Sequence, residues 1–543
     1  MEAGEVPMRG NLAAVVSVSF TSIVSLAYVS TSNLAAAVSI EPATSAVGSA
    51  SKAIRWEPYP IVSPYGVPSL LGQLGHLRVR ESRAPGDARV ASSPREIELA
   101  FVRLPSTSRR PGAPIVWLAG GPGGSGTSDL DTPVLRILLE LRRSGDVIAL
   151  DQRGTGLSVP RLDCPGTIEF PRDVPLDRAR SVAGLEAAAH ACADAWRARG
   201  VDLAAYNTRE SAEDLEDLRI ALGAPKLRLL GGSYGTHLAL AAIRAHEDRI
   251  ERVALIGVVG PDHLRRSPAA SEGQLEEISR IVRGDAKLSA RLPDLIGMIR
   301  SVRDRLDRSP VAETVELPDG LRIAVVLGRF DLEWYTRGLL SSRESIAHLP
   351  ALFAAMAAGD FQELARATAA WRSSPAPSAT MFAMRCASGA SPDRLARIDE
   401  ERRRVTLSET LDFAEESVCR AWGVPRLPDD FRAPVRSTVP ALFVSGSLDG
   451  DTPQTNAGEV MRGFPNGRHL LVEGAAHSLL AFQDPRARAA LYDFLADGRV
   501  RSDRVPLPPL AFELPKTGRA EAALLAGNRE STTPLFWAGG GLP

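Results

Sequence analysis

The sequence predicts an α/β fold: a mostly parallel sheet with helices on both faces, interrupted by a helical insertion. Three observations predict it. Short apolar strands alternate with helical patterns from about residue 56 to 262, and again from about residue 439. The stretch between them is mainly helical in pattern. A serine flanked by glycines stands where one apolar strand turns directly into a helix.

The elements follow in order. "REIELAFVRLP" (95–105) alternates as a half-buried strand does. "APIVWLAG" (113–120) is short and apolar throughout, the pattern of a strand buried on both faces. A helix around 134–143 leads to the apolar strand "DVIAL" (146–150). "LRLLGG" then runs into "LALAAI", and "RVALIGVVG" (252–260) is one more buried strand. From about Leu264 to Arg432 the patterns are helical, as in "LPDLIGMIRSVRDRL" and "RLARIDEERRRV". "VPALFVSG" (439–446) and "RHLLVEG" (468–474) restore the strand rhythm, and "RARAALYDFLADG" closes on a helix. Such alternation buries both faces of a parallel sheet under helices.

The expected organisation is a leader and linker over 1–53, a first core half over 54–263 and a helical cap over 264–434. A second core half over 435–513 and a tail over 514–543 complete it. An inserted cap accounts for 543 residues without the three or four domains that length alone suggests at about 150 residues each.

Hydrophobic content of 44% and charged content of 24% are ordinary for a soluble globular chain. The net charge is −1 and the arginines are spread out, which argues against a nucleic-acid or acidic partner. No Cys-x-x-Cys or His-Glu-x-x-His spacing points to a metal. The N-terminal region differs. Leu12–Tyr28 carries no charge, and small residues follow, Ala35-Ala36-Ala37 and then a Ser/Ala/Gly/Thr-rich run. This reads as a secretory leader and linker, with the protein secreted or periplasmic. Glu2 and Glu5 offset Arg9, and a start at Met8 would repair that charge. The alternative is a membrane anchor over 12–28, though the run is short and serine-rich for a span of about 20 residues. No stable membrane partner is expected unless the leader is retained. Four cysteines fit export; closeness in sequence favours Cys164 with Cys192 and Cys386 with Cys419. Four cysteines allow three pairings, and free buried thiols are the alternative.

Gly231-Gly232-Ser233-Tyr234-Gly235 has the G-x-S-x-G form of a nucleophile elbow, which holds a serine hydroxyl clear of the sheet edge at a helix N-terminus. A serine nucleophile needs a base, and the base an orienting carboxylate, in the chain order Ser, Asp/Glu, His. Asp449 follows the strand "ALFVSG" and His477 follows "LLVEG", so all three stand at carboxyl ends of strands. Asp451 is the alternative carboxylate; His237, on the helix behind the elbow, and His469, at a strand start, are weaker bases. An oxyanion needs preorganised N–H donors. Tyr234 follows the nucleophile and supplies one. The glycine loop "AGGPGGSG" (119–126) supplies the other, at Gly121 first, with Gly120 and Gly123 as alternatives. A phosphate cradle is the weaker reading of this loop, since no Gly-Lys-Ser/Thr follows it and no G-x-G-x-x-G opens a helix. Asp151 and Arg153 in "DQRGTGLS" are expected to pair and brace this loop.

"GGPGGSG", "DQRGTGLS", "GGSYGT", "LDGDTP" and "GAAHS", in this order, resemble the proline iminopeptidase and tripeptidyl aminopeptidase branch of the α/β-hydrolase superfamily. The likeness covers about residues 75–260 and 435–490. It implies an eight-stranded core with a helical cap between strands six and seven. It implies Ser233 as nucleophile, His477 as base, Asp449 as its partner, and Tyr234 with the Gly120–Gly124 loop as oxyanion hole. Exported members carry paired cysteines, and Cys386 and Cys419, ahead of "RAWGVP", look like the pair in the cap's return segment. The implied activity is release of residues from the free N-terminus of short peptides through an acyl-enzyme, without a cofactor. The cap shows no alignable motif, so substrate-binding residues are not assigned, and Glu333 in "DLEWY" is a bare candidate for the ammonium. Ala119-Gly120 stands where many relatives have His-Gly. An esterase or amidase acting on small molecules with the same triad is the alternative.

Overall fold

The computed structural model describes residues 53–62, 69–83, 95–316, 320–478 and 484–514. The expected leader or anchor over 12–28 and nearly all of the expected tail lie outside them.

Ten strands form the main sheet: β1 (Arg55–Ile61), β2 (Leu70–Arg80), β3 (Glu96–Leu104), β4 (Gly112–Leu118), β5 (Gly145–Leu150), β6 (Leu227–Gly232), β7 (Ile250–Ile256), β8 (Ala441–Gly446), β9 (Gly467–Glu473) and β10 (Arg504–Pro506). Their spatial order is β1-β2-β3-β5-β4-β6-β7-β8-β9-β10. The first three pairings are antiparallel and every pairing from β5 onward is parallel. Eight strands were the expectation; the two beyond it are the outermost ones. β1 carries Pro58 and Pro60 and is mostly exposed, so it lacks the alternation that marks a strand in sequence. Proline cannot donate to a ladder and suits such an edge.

The apolar strands divide their side chains between two cores. In β4, Val116 and Leu118 join Leu229, Leu238 and Leu255 on one face. Ile115 and Trp117 join Leu135, Ala254 and Leu491 on the other. A strand with two apolar faces reads as an unbroken hydrophobic run, which is why β4 shows no alternation.

Between β5 and β8 lie the helices that matter for the site: α1 (Thr208–Ala221), α2 (Tyr234–His246), α3 (Arg329–Leu339), α4 (Arg343–Ala357), α5 (Ala379–Ser388) and α6 (Glu415–Trp422). α3 to α6 belong to the insertion after β7. That insertion also holds an antiparallel pair, Val311–Glu316 with Arg322–Leu327, where a helical pattern was expected. The segment between β5 and α1 packs with the insertion: Leu162, Phe170 and Trp196 share one buried cluster with Phe330, Phe382 and Trp422. Arg372 fastens the same region. It is fully buried and donates to the Asp331 carboxylate and to the carbonyls of Pro171, Val174 and Val326. The disulfides Cys164–Cys192 and Cys386–Cys419 are both formed.

Candidate active site

The elbow is a steric solution. Ser233, between β6 and α2, has φ 50° and ψ −120°, a conformation costly for an L-residue. Its N–H donates to the Ile256 carbonyl at 2.8 Å. A Cβ on Gly235 would lie 1.9 Å from the Leu118 carbonyl oxygen, and one on Gly231 would lie 2.6 Å from that of Gly235. Only glycine fits at both positions, so the helix can approach the sheet closely enough to lift the serine over its rim.

Asp449 and His477 come from the loops after β8 and β9. Ser233 Oγ lies 3.1 Å from His477 Nε2, and His477 Nδ1 lies 3.0 Å from Asp449 Oδ2. The carboxylate can only accept from Nδ1, which in the neutral ring leaves Nε2 free to accept the serine proton. The Asp449 side chain is buried, while His477 keeps about a quarter of its surface, 24%, open. Asp449 Oδ1 accepts the N–H groups of Asp451 at 3.0 Å and Thr452 at 2.8 Å. Thr452 Oγ1 donates to Asp449 Oδ2 at 2.6 Å and lies 3.0 Å from His477 Nδ1. Burial disfavours a charge on His477. The attraction and hydrogen bond of Asp449, with a further pull from Asp451, outweigh that and raise its pKa to about 9; Arg266 acts in the opposite sense.

Asp451, the alternative carboxylate, does not hold the imidazole. It accepts from the Arg266 and Arg337 guanidiniums, both at 3.1 Å. His237 is buried on α2 and bonded to Gly260 and Ser388. His469 meets Ser445 on the neighbouring strand. Glu333 is fully buried, held by Arg329 Nε at 2.8 Å and the Glu409 N–H at 2.7 Å, so its carboxylate is already occupied.

The glycine loop lies against Ser233. A Cβ on Gly120 would stand 3.2 Å from Ser233 Cβ and 3.8 Å from Ser233 Oγ. Gly121 has φ 114° and follows directly. Tyr234 is the first residue of α2, so its N–H belongs to the first turn, whose amides have no acceptor within the helix. The expected Asp151–Arg153 pair does not form. Asp151 instead accepts from Ser125 Oγ, Thr127 N, Thr127 Oγ1 and Leu157 N, bracing the glycine loop directly. Arg153 turns to Asp214 and to the carbonyls of Glu81 and Ala205. The two side chains serve different elements, and each is fully satisfied without the other.

Thr452 is the residue at this site that sequence reasoning missed. Its one signal is a hydroxyl three residues after an aspartate in a turn, a spacing common to many capping motifs.

Hydroxyl, imidazole and carboxylate in line, beside a glycine loop and a helix N-terminus, can generate a nucleophile and bind an oxyanion. The α/β hydrolase fold family matches residues 113–290 and the TAP-like protein family matches residues 409–506. The chain is 25% identical over 452 residues to a tripeptidyl aminopeptidase of Streptomyces lividans, covering 78% of this chain and 82% of that one. It is 31% identical over 176 residues to serine protease Hip1 of Mycobacterium bovis, covering 30% of this chain and 32% of that one. It is 28% identical over 152 residues to a proline iminopeptidase of Xylella fastidiosa, covering 27% of this chain and 33% of that one.

Proposed function

The chain belongs to the α/β-hydrolases, in the branch of the tripeptidyl aminopeptidases and proline iminopeptidases, and on that premise we propose a serine peptidase that releases residues from the free N-terminus of short peptides. The unbroken hydrogen-bond line from Ser233 through His477 to Asp449 carries the serine-hydrolase part of this reading, and the similarity to the Streptomyces lividans tripeptidyl aminopeptidase supports the peptide substrate. His477 Nε2 takes the Ser233 proton as Oγ attacks the scissile carbonyl. The imidazolium then donates that proton to the departing amine. The oxyanion rests on the Tyr234 N–H and an amide of the glycine loop, Gly121 foremost. Water, deprotonated by the same imidazole, hydrolyses the acyl-enzyme and restores Ser233. Asp449 holds the imidazole in the productive tautomer and offsets its charge.

Two disulfides fit a chain that folds in an oxidising compartment, in keeping with an exported peptidase. No helix among the described residues is long and apolar enough to cross a membrane.

The test is a panel of aminoacyl-, dipeptidyl- and tripeptidyl-naphthylamides set against nitrophenyl esters. Turnover of free-amine peptides, lost by about 10⁴-fold or more in Ser233→Ala, is the expected result. Turnover of esters alone would overturn the peptidase reading and favour a small-molecule esterase.

A further inference from the structure

Beneath the elbow lies a buried polar chain that takes no part in the proposed proton transfers. His237 Nδ1 meets the Gly260 carbonyl at 3.1 Å, and its Nε2 meets Ser388 Oγ at 3.3 Å. Ser388 Oγ meets Thr208 Oγ1 at 3.2 Å, and Thr208 Oγ1 meets the Tyr234 hydroxyl at 2.8 Å. All four side chains are almost wholly buried.

One carbonyl orients the whole chain. Gly260 O can only accept, so His237 carries its proton on Nδ1. Burial, with smaller repulsions from His263 and Arg244, lowers the His237 pKa to about 4 against the support of Gly260, so the ring is neutral. Nε2 therefore accepts, and Ser388 must donate to it. Ser388 Oγ then accepts from Thr208. With its single proton used, Thr208 accepts from Tyr234, whose hydroxyl also lies 3.2 Å from Met384 Sδ. Every hydroxyl proton along the chain is then assigned, that of Tyr234 going to Thr208.

The members come from different parts of the fold. Tyr234 and His237 lie on α2, Thr208 on α1, Ser388 and Met384 on α5 of the insertion. The other end of α5 reaches the glycine loop: a Cβ on Gly123 would stand 2.7 Å from Ser378 Oγ, the cap of that helix, and 3.5 Å from Met381 N. One helix of the insertion thus touches both places expected to supply oxyanion donors.

We propose that Thr208, Ser388 and His237 are positioning residues for the oxyanion site: they lock the Tyr234 ring, and through it the backbone N–H that follows the strained Ser233. Ser233 holds an unfavourable conformation only while its surroundings over-determine it. The buried phenol, anchored at its far end, supplies that constraint on one side of the elbow. This rests on the serine-hydrolase reading above.

The test compares Thr208→Val, which removes the hydroxyl at constant shape, with Thr208→Ser, which keeps it. The readouts are the rate of fluorophosphonate labelling at Ser233, kcat and KM on the best peptide of the panel, and Tm. Thr208→Val is expected to slow labelling and kcat together by about tenfold or more, short of the roughly 100- to 1000-fold cost of deleting an oxyanion donor, with KM little changed. Thr208→Ser is expected to retain the wild-type rates. Should Thr208→Val not fold, Ser388→Ala against Ser388→Thr makes the same comparison. Folded Thr208→Val or Ser388→Ala with wild-type labelling and kcat, or an equal loss in the conservative partner, overturns the proposal. A wild-type protein that does not label at all overturns the serine-hydrolase reading, and this proposal falls with it.

Discussion

Thr452 Oγ1 sits between Asp449 and His477, 2.6 Å from the carboxylate Oδ2 and 3.0 Å from the imidazole Nδ1. The hydroxyl donates to the oxygen that also receives the imidazole proton. It therefore fixes where that oxygen points and closes a small ring of three polar groups. A hydrogen bond to a charged group contributes about 1.5–3 kcal/mol. Thr452→Val is expected to lower kcat by about tenfold or more through a misdirected carboxylate, while Thr452→Ser keeps most of the activity. Steady-state kinetics of the two variants decide it. Equal activity in both would leave the hydroxyl without a role.

The pH profile follows from the charges around His477. Its imidazole must be neutral to take the serine proton, and Asp449 and Asp451 together raise its pKa against the effect of burial, to about 9. Activity of the free enzyme is therefore expected to climb with pH toward that value. Asp451→Asn removes one negative charge near the ring and leaves Arg266 and Arg337 without their shared carboxylate. Both changes disfavour the imidazolium. The acidic limb of kcat/KM is expected to move to lower pH in the variant. A limb that stays in place, or moves upward, would show that Asp451 does not act on His477.

Much of this site is legible in the sequence because its parts stand at abrupt changes of composition. Ser233, Asp449 and His477 each follow an apolar strand within a few residues, and chain order alone points to their meeting. What is hidden depends on partners far away. Asp151 and Arg153 look like a local pair, yet Arg153 finds Asp214 and the Glu81 carbonyl, and no local rule predicts that. The Tyr234–Thr208–Ser388–His237 chain is invisible for the same reason, since Ser388 lies 180 residues from Thr208. Val311–Glu316 and Arg322–Leu327 are a different failure. A Pro-Asp-Gly turn signal stands between them, but neither segment alternates cleanly and helical periodicity flanks both.

A second titrating contact ties the chain's last described segment to the insertion. His348 on α4 meets Glu363 and Glu513, each at 2.9 Å, and the Glu513 N–H donates to the Ala347 carbonyl. Hydrogen bonding to Glu363, reinforced by Glu513 and opposed by burial, raises the His348 pKa to about 9. A raised folded-state value means the contribution to stability is whole below the unfolded value of about 6.5 and fades as pH rises through about 9. Tm is expected to fall between about pH 6 and pH 10, and His348→Gln to remove part of that fall. Thermal scans at the two pH values test it, and a His348→Gln slope identical to wild type would refute it.

The two disulfides should separate stability from catalysis. Their closed segments are similar, with sequence separations of 28 and 33 residues, so loop-closure entropy assigns each about 4 kcal/mol. Their positions differ. Cys386 lies on α5 between Met384, which touches Tyr234, and Ser388, which joins the buried chain; Cys419 anchors it to α6. Cys164 and Cys192 sit in the segment between β5 and α1. Replacing either pair by serine is expected to lower Tm comparably. Only Cys386→Ser with Cys419→Ser is expected to lower kcat as well, measured well below the Tm of both variants, because α5, which carries Met384 and Ser388, loses its tether to α6. A kcat that falls equally for both pairs would mean general loosening, and one unchanged for both would mean that α5 keeps its place without the bridge.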